Sequence, residues 1–295
     1  MDDHPRGLLM TLPIRKILLG TDLSEPSMNA MLHADAIAQM CHAELTAMYA
    51  EVLHDDLAAG VMDTYWEQFE GRVGDRLKAV SEEYSVSFTP RVERDVSARN
   101  AILRTAEDIG ADLIVVGTHG RTGIGRFVLG STAEGVVRDA PVSVLVVHHT
   151  TAHAPYKKLL VPVDLSEQSR ETLKYAARLA AEFDAELGVV HVVEPVSVPP
   201  YFPMDYVPPE PVAVHETVEQ FVRESLDGQS FILHVLRGPA ASTICKIAED
   251  EGYDVIVTGT RGLHGVAHLA LGSTTERVVR LAGVPVWVHK PAAES

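Results

Sequence analysis

The chain has 295 residues, of which 46% are hydrophobic and 22% are charged, as in ordinary soluble globular proteins. Its formal net charge of −16 argues against a general nucleic-acid surface, because phosphate backbones are bound by clustered Lys and Arg. No apolar run approaches the roughly 20 residues of a membrane-spanning helix, and the N-terminus lacks the basic start and long apolar region of a secretory signal. We therefore expect a cytoplasmic protein without membrane or nucleic-acid partners.

Strands and helices alternate along the first half of the chain. Short, continuous apolar runs predict strands that are buried on both faces, and segments rich in Ala and Leu at helical spacing predict helices. In chain order, the predicted elements are strand 14–20, helix 28–42, strand 44–50, helix 66–84, strand 86–92, helix 98–109, strand 112–116, helix 132–138 and strand 142–147.

The second half repeats this order with similar patterns. The predicted elements are strand 159–163, helix 170–183, strand 186–193, helix 215–226, strand 231–236, helix 240–251, strand 254–258, helix 274–280 and strand 284–289. The alternation predicts an α/β protein with two tandem doubly wound domains, each a five-stranded parallel sheet in the order 3-2-1-4-5 with helices on both faces. The expected division is an N-terminal extension 1–13, a first domain 14–147, a linker 148–156 and a second domain 157–291.

A glycine-spaced motif recurs at a constant offset of 142 residues. Gly117-Thr118-His119-Gly120 is followed by nine residues and Gly130-Ser131-Thr132, and the same pattern starts again at Gly259. The offset also relates Asp22-Leu23-Ser24-Glu25 to 164–167. One ancestral unit has therefore been duplicated.

In doubly wound sheets the ligand crevice lies beyond the carboxyl ends of the strands, where the strand order reverses. The first and fourth strands flank that point, so Asp22 should lie near the Gly117 loop, and Asp164 near the Gly259 loop. Free backbone N–H groups at 130–132, before a helix, would make an anion site there. The alternative is that the glycines only form tight turns. The spacing matches neither a Walker loop nor a dinucleotide fingerprint.

Each repeat opens with the pattern strand-x-Asp-x-Ser and carries Gly-x2-Gly-x9-Gly-Ser after a later strand. This combination resembles the universal stress protein family in its tandem form. The resemblance implies an adenine-nucleotide α-hydrolase-like fold. The resemblance implies one adenine-nucleotide site in each repeat, for ATP (or ADP or AMP) with Mg²⁺. The matching positions are Gly20, Asp22, Ala50, Gly117, Gly120, Gly130, Ser131 and Thr132 in the first repeat, and Pro162, Asp164, Val192, Gly259, Gly262, Gly272, Ser273 and Thr274 in the second.

The resemblance also implies the role of each position. Asp22 and Gly20 would line the adenine and ribose side, the backbone of Ala50 would contact the base, Gly117 would approach the ribose, and the remaining positions would hold phosphates. The first repeat departs from the family in one respect, because Gly20 stands where Pro is common, as at Pro162.

Several of these residues have simpler interpretations. Asp22 and Asp164 could act only as turn or helix-cap residues. The loop residues His119, Arg121, Arg126 and Arg261 could face phosphates or be solvated. Seven of the 17 prolines lie within 195–211, which indicates an extended loop that covers the domain, acts as a lid or docks a partner.

Cysteine and histidine form no recognisable site pattern. Cys41 and Cys245 stand at non-equivalent positions and form no CxxC pair, so neither a disulfide nor a thiolate metal site is expected. The histidines at 148, 149 and 153 are interpreted as part of a polar linker.

No pattern indicates a catalytic nucleophile or a base that would orient water on a γ-phosphate. The leading hypothesis is a nucleotide-binding regulatory or protective protein of the stress response. The alternatives are a slow ATP hydrolase or nucleotide-dependent transferase, and a structural protein with empty pockets. The apolar closing strands 142–147 and 284–289 should pair with each other as an internal pseudo-dimer, and we also expect a homodimer.

Overall fold

The computed structural model describes residues 14–52, 59–118, 129–148, 155–195, 211–260 and 271–291. The strands are β1 (Lys16–Thr21), β2 (Glu44–Val52), β3 (Thr89–Asp95), β4 (Leu113–Gly117), β5 (Ser143–Val147), β6 (Lys158–Pro162), β7 (Glu186–Val193), β8 (Ile232–Arg237), β9 (Val255–Gly259) and β10 (Val286–His289). The helices are α1 (Glu25–Cys41), α2 (Ala59–Tyr84), α3 (Ala98–Ile109), α4 (Ser131–Asp139), α5 (Glu167–Glu182), α6 (Pro211–Ser225), α7 (Ala240–Asp250) and α8 (Ser273–Leu281).

The strands form one ten-stranded sheet in the order β3-β2-β1-β4-β5-β10-β9-β6-β7-β8. Within each half the neighbouring strands run parallel. Both halves therefore have the predicted strand order and five strands, and the predicted α/β fold is confirmed.

The two faces of the sheet are covered by different sets of helices. Along β1, Ile17 and Leu19 point into a core formed with α1, α2, α5 and α6, whereas Leu18 points into a second core with α3, α4, α7 and α8. All three side chains are fully buried, which explains why β1 is a continuous apolar run rather than an alternating one. Each core contains residues of both halves, so the two halves share their apolar layers.

Some element boundaries differ from the prediction. Helix α2 begins at Ala59, seven residues before the predicted start. Strand β3 begins at Thr89 instead of Val86, because the chain after α2 first turns through Ser85, whose φ is 55°, and Val86 is buried and bonded to Ser81. Of the proline-rich segment, only Pro195 and Pro211 lie within the described residues, and Pro211 opens α6.

The two halves meet at an antiparallel pair of strands. β5 and β10 pair with Val286 opposite Val146 and Trp287 opposite Leu145. Trp287 is fully buried and packs at tilted angles against Tyr175 and Phe183 of the second half. The predicted internal pseudo-dimer is therefore the arrangement that the structure has.

The segment predicted as a linker is built into the fold at both ends. His148 is 8% exposed, and its Nε2 donates to the Val279 carbonyl at 2.7 Å. Tyr156 is fully buried, and its hydroxyl lies 2.8 Å from Nδ1 of His33. The interpretation of His148 as part of a polar linker is wrong, because its side chain is buried and bonds to the other half of the chain. Tyr156, at the end of the predicted linker range, is likewise buried and bonded to the first half.

Replacing Trp287 with Ala should lower the free energy of unfolding by about 3–5 kcal/mol, because a fully buried aromatic side chain would leave a cavity at the seam. Denaturant unfolding followed by circular dichroism measures this. The matched control is Leu281→Ala, at the end of α8 with 39% exposure, which should change stability by less than about 1 kcal/mol. Equal losses in the two variants would contradict the placement of Trp287.

His289 should make stability depend on pH. The ring is buried and stacks on Tyr175 with centroids 3.9 Å apart. Burial, reinforced by Arg178 and opposed by Glu171, lowers the pKa of His289 from 6.5 to about 4. Between these two values the unfolded chain binds a proton that the folded chain does not, so stability is complete above about pH 6.5 and falls as the pH drops towards 4.

The expected loss is at most roughly 3 kcal/mol. Carboxylates also titrate in this range, so the measurement is the difference between the wild type and His289→Phe, which keeps the stacking but cannot take a proton. The difference between the unfolding free energies at pH 7.5 and at about pH 4.5 should be smaller in the variant than in the wild type. An identical pH dependence in both proteins would show that His289 is not the group responsible.

Candidate functional site

A cleft of about 210 Å³ lies at the carboxyl ends of β1, β2 and β4, where the strand order of the first half reverses. Seven of the eight site residues predicted in the first repeat line it: Gly20, Asp22, Ala50, Gly117, Gly130, Ser131 and Thr132. The eighth, Gly120, lies outside the described residues. The fold therefore brings together residues that are up to 112 positions apart in the sequence.

Asp22 is held in place by the turn that follows β1. Its Oδ1 accepts hydrogen bonds from the backbone N–H and the hydroxyl of Ser24, at 3.1 and 2.5 Å. Leu23, between them, has a φ of 61°, in the left-handed region that costs a leucine about 1 kcal/mol or more. The backbone of this turn therefore fixes one carboxylate at the strand end.

The second repeat has the same turn. Asp164 accepts from Ser166 at 3.1 and 2.5 Å, and Leu165 has a φ of 65°. Ser24 and Ser166 occupy the N-cap positions of α1 and α5. The two aspartates are therefore turn residues, as one part of the alternative holds, and the helix caps are the two serines.

The glycine loop is closed by a backbone hydrogen bond. The Gly130 N–H donates to the Thr118 carbonyl at 2.8 Å, and in the second repeat Gly272 donates to Thr260 at 2.7 Å. A Cβ on Gly130 would lie 3.0 Å from the Thr118 oxygen. The expectation that the N–H groups of Gly130 and Gly272 are free to hold phosphate is therefore wrong, because these donors close the loop.

The N–H groups that remain free of helical partners are those at the start of α4 and α8. Ser131 and Ser273 are the first residues of these helices, and the first-turn N–H groups of a helix have no intrahelical acceptor. Together with the positive end of the helix dipole, such N–H groups are donors of the kind to which anions can bind. In the second repeat, Thr274 is the second residue of α8, as Thr132 is of α4, and Gly259 ends β9, as Gly117 ends β4.

Most of the residues between the glycines of the motif lie outside the described part of the chain. Gly120 and Gly262 lie outside the described residues, together with His119, Arg121, Arg126 and Arg261.

Several lining residues were not predicted from the sequence. Ile102 of α3 packs beneath Gly20, where an added Cβ would lie 2.8 Å from Ile Cδ1. Thr21 and Ser27 place their hydroxyls 2.9 Å apart at the turn after β1. The repeat carries a signal for Ile102 and Ser27, since Ile244 and Ser169 stand at the same offset.

The second site differs from the first in its hydroxyl groups. The Thr275 hydroxyl donates to the Gly259 carbonyl at 2.7 Å and lies 3.3 Å from the hydroxyl of Thr258. The first repeat has Ala133 and Val116 at these positions. Nearby, a carboxylate oxygen of Glu194 accepts from the N–H that begins α7, at 2.9 Å. Pro162 is the last residue of β6, and Val192 is the next-to-last residue of β7.

One arginine connects the helices that begin at the two sites. The Arg280 guanidinium lies 3.1 Å from Glu134, in the first turn of α4, and 3.1 Å from Glu276, in the first turn of α8. Its equivalent in the first repeat, Arg138, pairs with the adjacent Asp139.

In the part of the chain that the structure describes, no group of three or more His, Cys, Asp or Glu side chains is placed to hold a metal ion. Cys41 and Cys245 are free thiols. None of the described helices is both long and apolar enough to cross a membrane.

The sheet and cleft define a duplicated α/β protein of the doubly wound class, with a ligand crevice at the strand reversal. Both repeats match the sequence model of the universal stress protein family, over residues 13–148 and 155–290. The chain therefore belongs to the universal stress protein family, with two copies of the domain in tandem.

Known relatives agree with this assignment. Universal stress protein Rv2623 of Mycobacterium tuberculosis is 27% identical over 290 residues, which is 93% of this chain and 96% of that protein. Universal stress protein MJ0531 of Methanocaldococcus jannaschii is 34% identical over 146 residues, 46% of this chain and 82% of that protein. A crystal structure of a universal stress protein from Archaeoglobus fulgidus shares the fold, with a TM-score of 0.66 at 23% identity, covering 95% of this chain and 99% of that chain.

A further universal stress protein, with 22% identity and a TM-score of 0.34 over 45% of this chain and 95% of that chain, was solved in complex with cAMP.

Proposed function

We propose that this protein binds an adenine nucleotide, ATP or else ADP or AMP, with Mg²⁺ in each repeat, and acts as a regulatory or protective protein of the stress response. One observation carries the proposal: seven residues expected at such a site line a single cleft at the strand reversal of the first repeat. The cleft is smaller than the roughly 300–1,000 Å³ of most ligand pockets, so part of a nucleotide would extend along the start of α4.

The inner part of the cleft suits a flat base and a sugar. Met48, Ile102 and Val116 are almost fully buried and give it apolar walls. Asp22, at the end of β1, has one carboxylate oxygen engaged by Ser24 and can accept from ribose hydroxyls with the other. The end of β2 at Ala50 offers backbone groups to the base edge.

The start of α4 suits the phosphates. Ser131 and Thr132 provide first-turn N–H groups and hydroxyls beside the cleft. Backbone donors are the appropriate chemistry here, because the chain has a net charge of −16 and its described cleft walls carry no Lys or Arg. Mg²⁺ would be held mainly by the phosphates of the nucleotide and by water, as is common for this ion.

The cleft supports binding better than catalysis. Among its described lining residues, Asp22 is the one group that could act as a general base, and Ser24 already engages it. A fast phosphoryl transfer would require a residue that orients the attacking group. We therefore propose at most slow turnover.

Ser131→Pro tests the phosphate part of the site. Ser131 is the first residue of α4, where proline is tolerated, and Gly130 before it has φ −62° and ψ 144°, which proline also accepts. The variant removes one N–H donor without breaking the helix. Calorimetry with ATP and Mg²⁺ should show a loss of roughly tenfold or more in affinity at one site, with adenosine binding much less affected.

Ser131→Ala is the matched control, because it removes the hydroxyl but keeps the N–H, and it should weaken ATP binding less than Ser131→Pro. Equal affinity in Ser131→Pro and the wild type would show that the start of α4 does not hold phosphate. If the wild type gives no heat with ATP and Mg²⁺, and releases no adenine nucleotide when denatured, the proposed function is wrong. Turnover of many ATP per second would favour the enzyme instead.

The cytoplasmic location and the homodimer stay predictions. The edges of β5 and β10 are already paired with each other, so a second chain would have to use another surface. Light scattering on the purified protein measures its mass directly.

A further inference from the structure

The walls of the second site are built from larger side chains than those of the first. At the offset of 142 residues, eleven of the fifteen lining residues of the first cleft are identical in the second repeat or differ by an exchange between Thr and Val, and the other four change in side-chain volume. Three exchanges increase side-chain volume: Gly20 to Pro162, Ala50 to Val192 and Ala133 to Thr275. One exchange, Met48 to Val190, reduces it.

Of these larger residues, Thr275 is the one whose side chain is fixed by hydrogen bonds. It is 5% exposed and lies in the first turn of α8. Its hydroxyl donates to the carbonyl of Gly259, at the end of β9, over 2.7 Å. The side chain therefore stands between the helix that would hold phosphates and the strand end that would approach the ribose.

The first repeat leaves this position open. Ala133 is also buried and lines the cleft directly, but its side chain is a single methyl group that cannot reach or bond to Gly117. An alanine at this place leaves space for a ligand between α4 and β4. A threonine adds two non-hydrogen atoms and engages the strand-end carbonyl.

We infer that Thr275 narrows the site of the second repeat, and that this site therefore binds adenine nucleotides more weakly than the site of the first repeat. This inference rests on the proposed nucleotide-binding function. It assigns the high-affinity site to the cleft around Ala133 and the low-affinity site to the crevice around Thr275.

Reciprocal exchanges test the inference. Calorimetry with ATP and Mg²⁺ on the full chain should give two affinities for the wild type. Thr275→Ala should tighten the weaker site by about tenfold or more and leave the tighter one unchanged, because filling a packed site beyond its volume typically costs 1–3 kcal/mol. Ala133→Thr should weaken the tighter site by a similar factor.

Two further variants identify the site and the cause. Ser273→Pro removes the first N–H of α8 and should abolish or further weaken only the weaker of the two binding events. Thr275→Val keeps the volume but lacks the hydroxyl, so it should retain the low affinity. Thermal unfolding of each variant checks that it is folded before titration.

Three results would each overturn the inference while leaving nucleotide binding intact. The wild type could bind ATP with equal affinity at both sites, or Thr275→Ala could leave the weaker affinity unchanged. The third result is that Thr275→Val tightens the weaker site as much as Thr275→Ala does. A wild type that binds no ATP at either site would instead refute the proposed function.

Discussion

The antiparallel pairing of β5 with β10 is the interaction on which the rest of the architecture depends. Each repeat ends in an apolar strand, Ser143–Val147 or Val286–His289, that would be an exposed sheet edge if the repeat stood alone. Pairing the two edges completes the backbone hydrogen bonds of both strands and buries Trp287. The outer edges of the sheet are then β3 and β8, and both repeats pack into common apolar layers on the two faces of the sheet.

The same pairing relates the two sites to each other. Helix α4 begins at the first cleft, α8 begins at the corresponding place in the second repeat, and both lie on the same face of the sheet. Arg280 contacts a glutamate in the first turn of each helix, whereas its repeat counterpart Arg138 pairs with the adjacent Asp139. The two repeats therefore share their strand order but differ in side chains, both at this arginine and in the volumes of the residues that correspond to the walls of the first cleft.

The sequence predicted what depends on local pattern and on duplication. Buried strands such as β1 are apolar runs, and a constant offset places Asp22 and Gly117 at equivalent points in both copies. What it missed depends on contacts between distant residues. The Gly130 N–H donates to the Thr118 carbonyl because the loop folds back on the strand end, and Thr275 bonds to Gly259 because the first turn of α8 lies beside the last residue of β9. The burial of His148 and Tyr156 likewise requires partners in the opposite repeat.

A crystal structure of the full chain grown with ATP and Mg²⁺ tests nucleotide binding most directly. We expect a nucleotide in the first cleft, with the ribose at Asp22 and the phosphates at the N–H groups of Ser131 and Thr132. A nucleotide bound elsewhere, for example in the groove beside α6 that is lined by Val214 and Arg237, would contradict this expectation. So would an empty first cleft at saturating ATP.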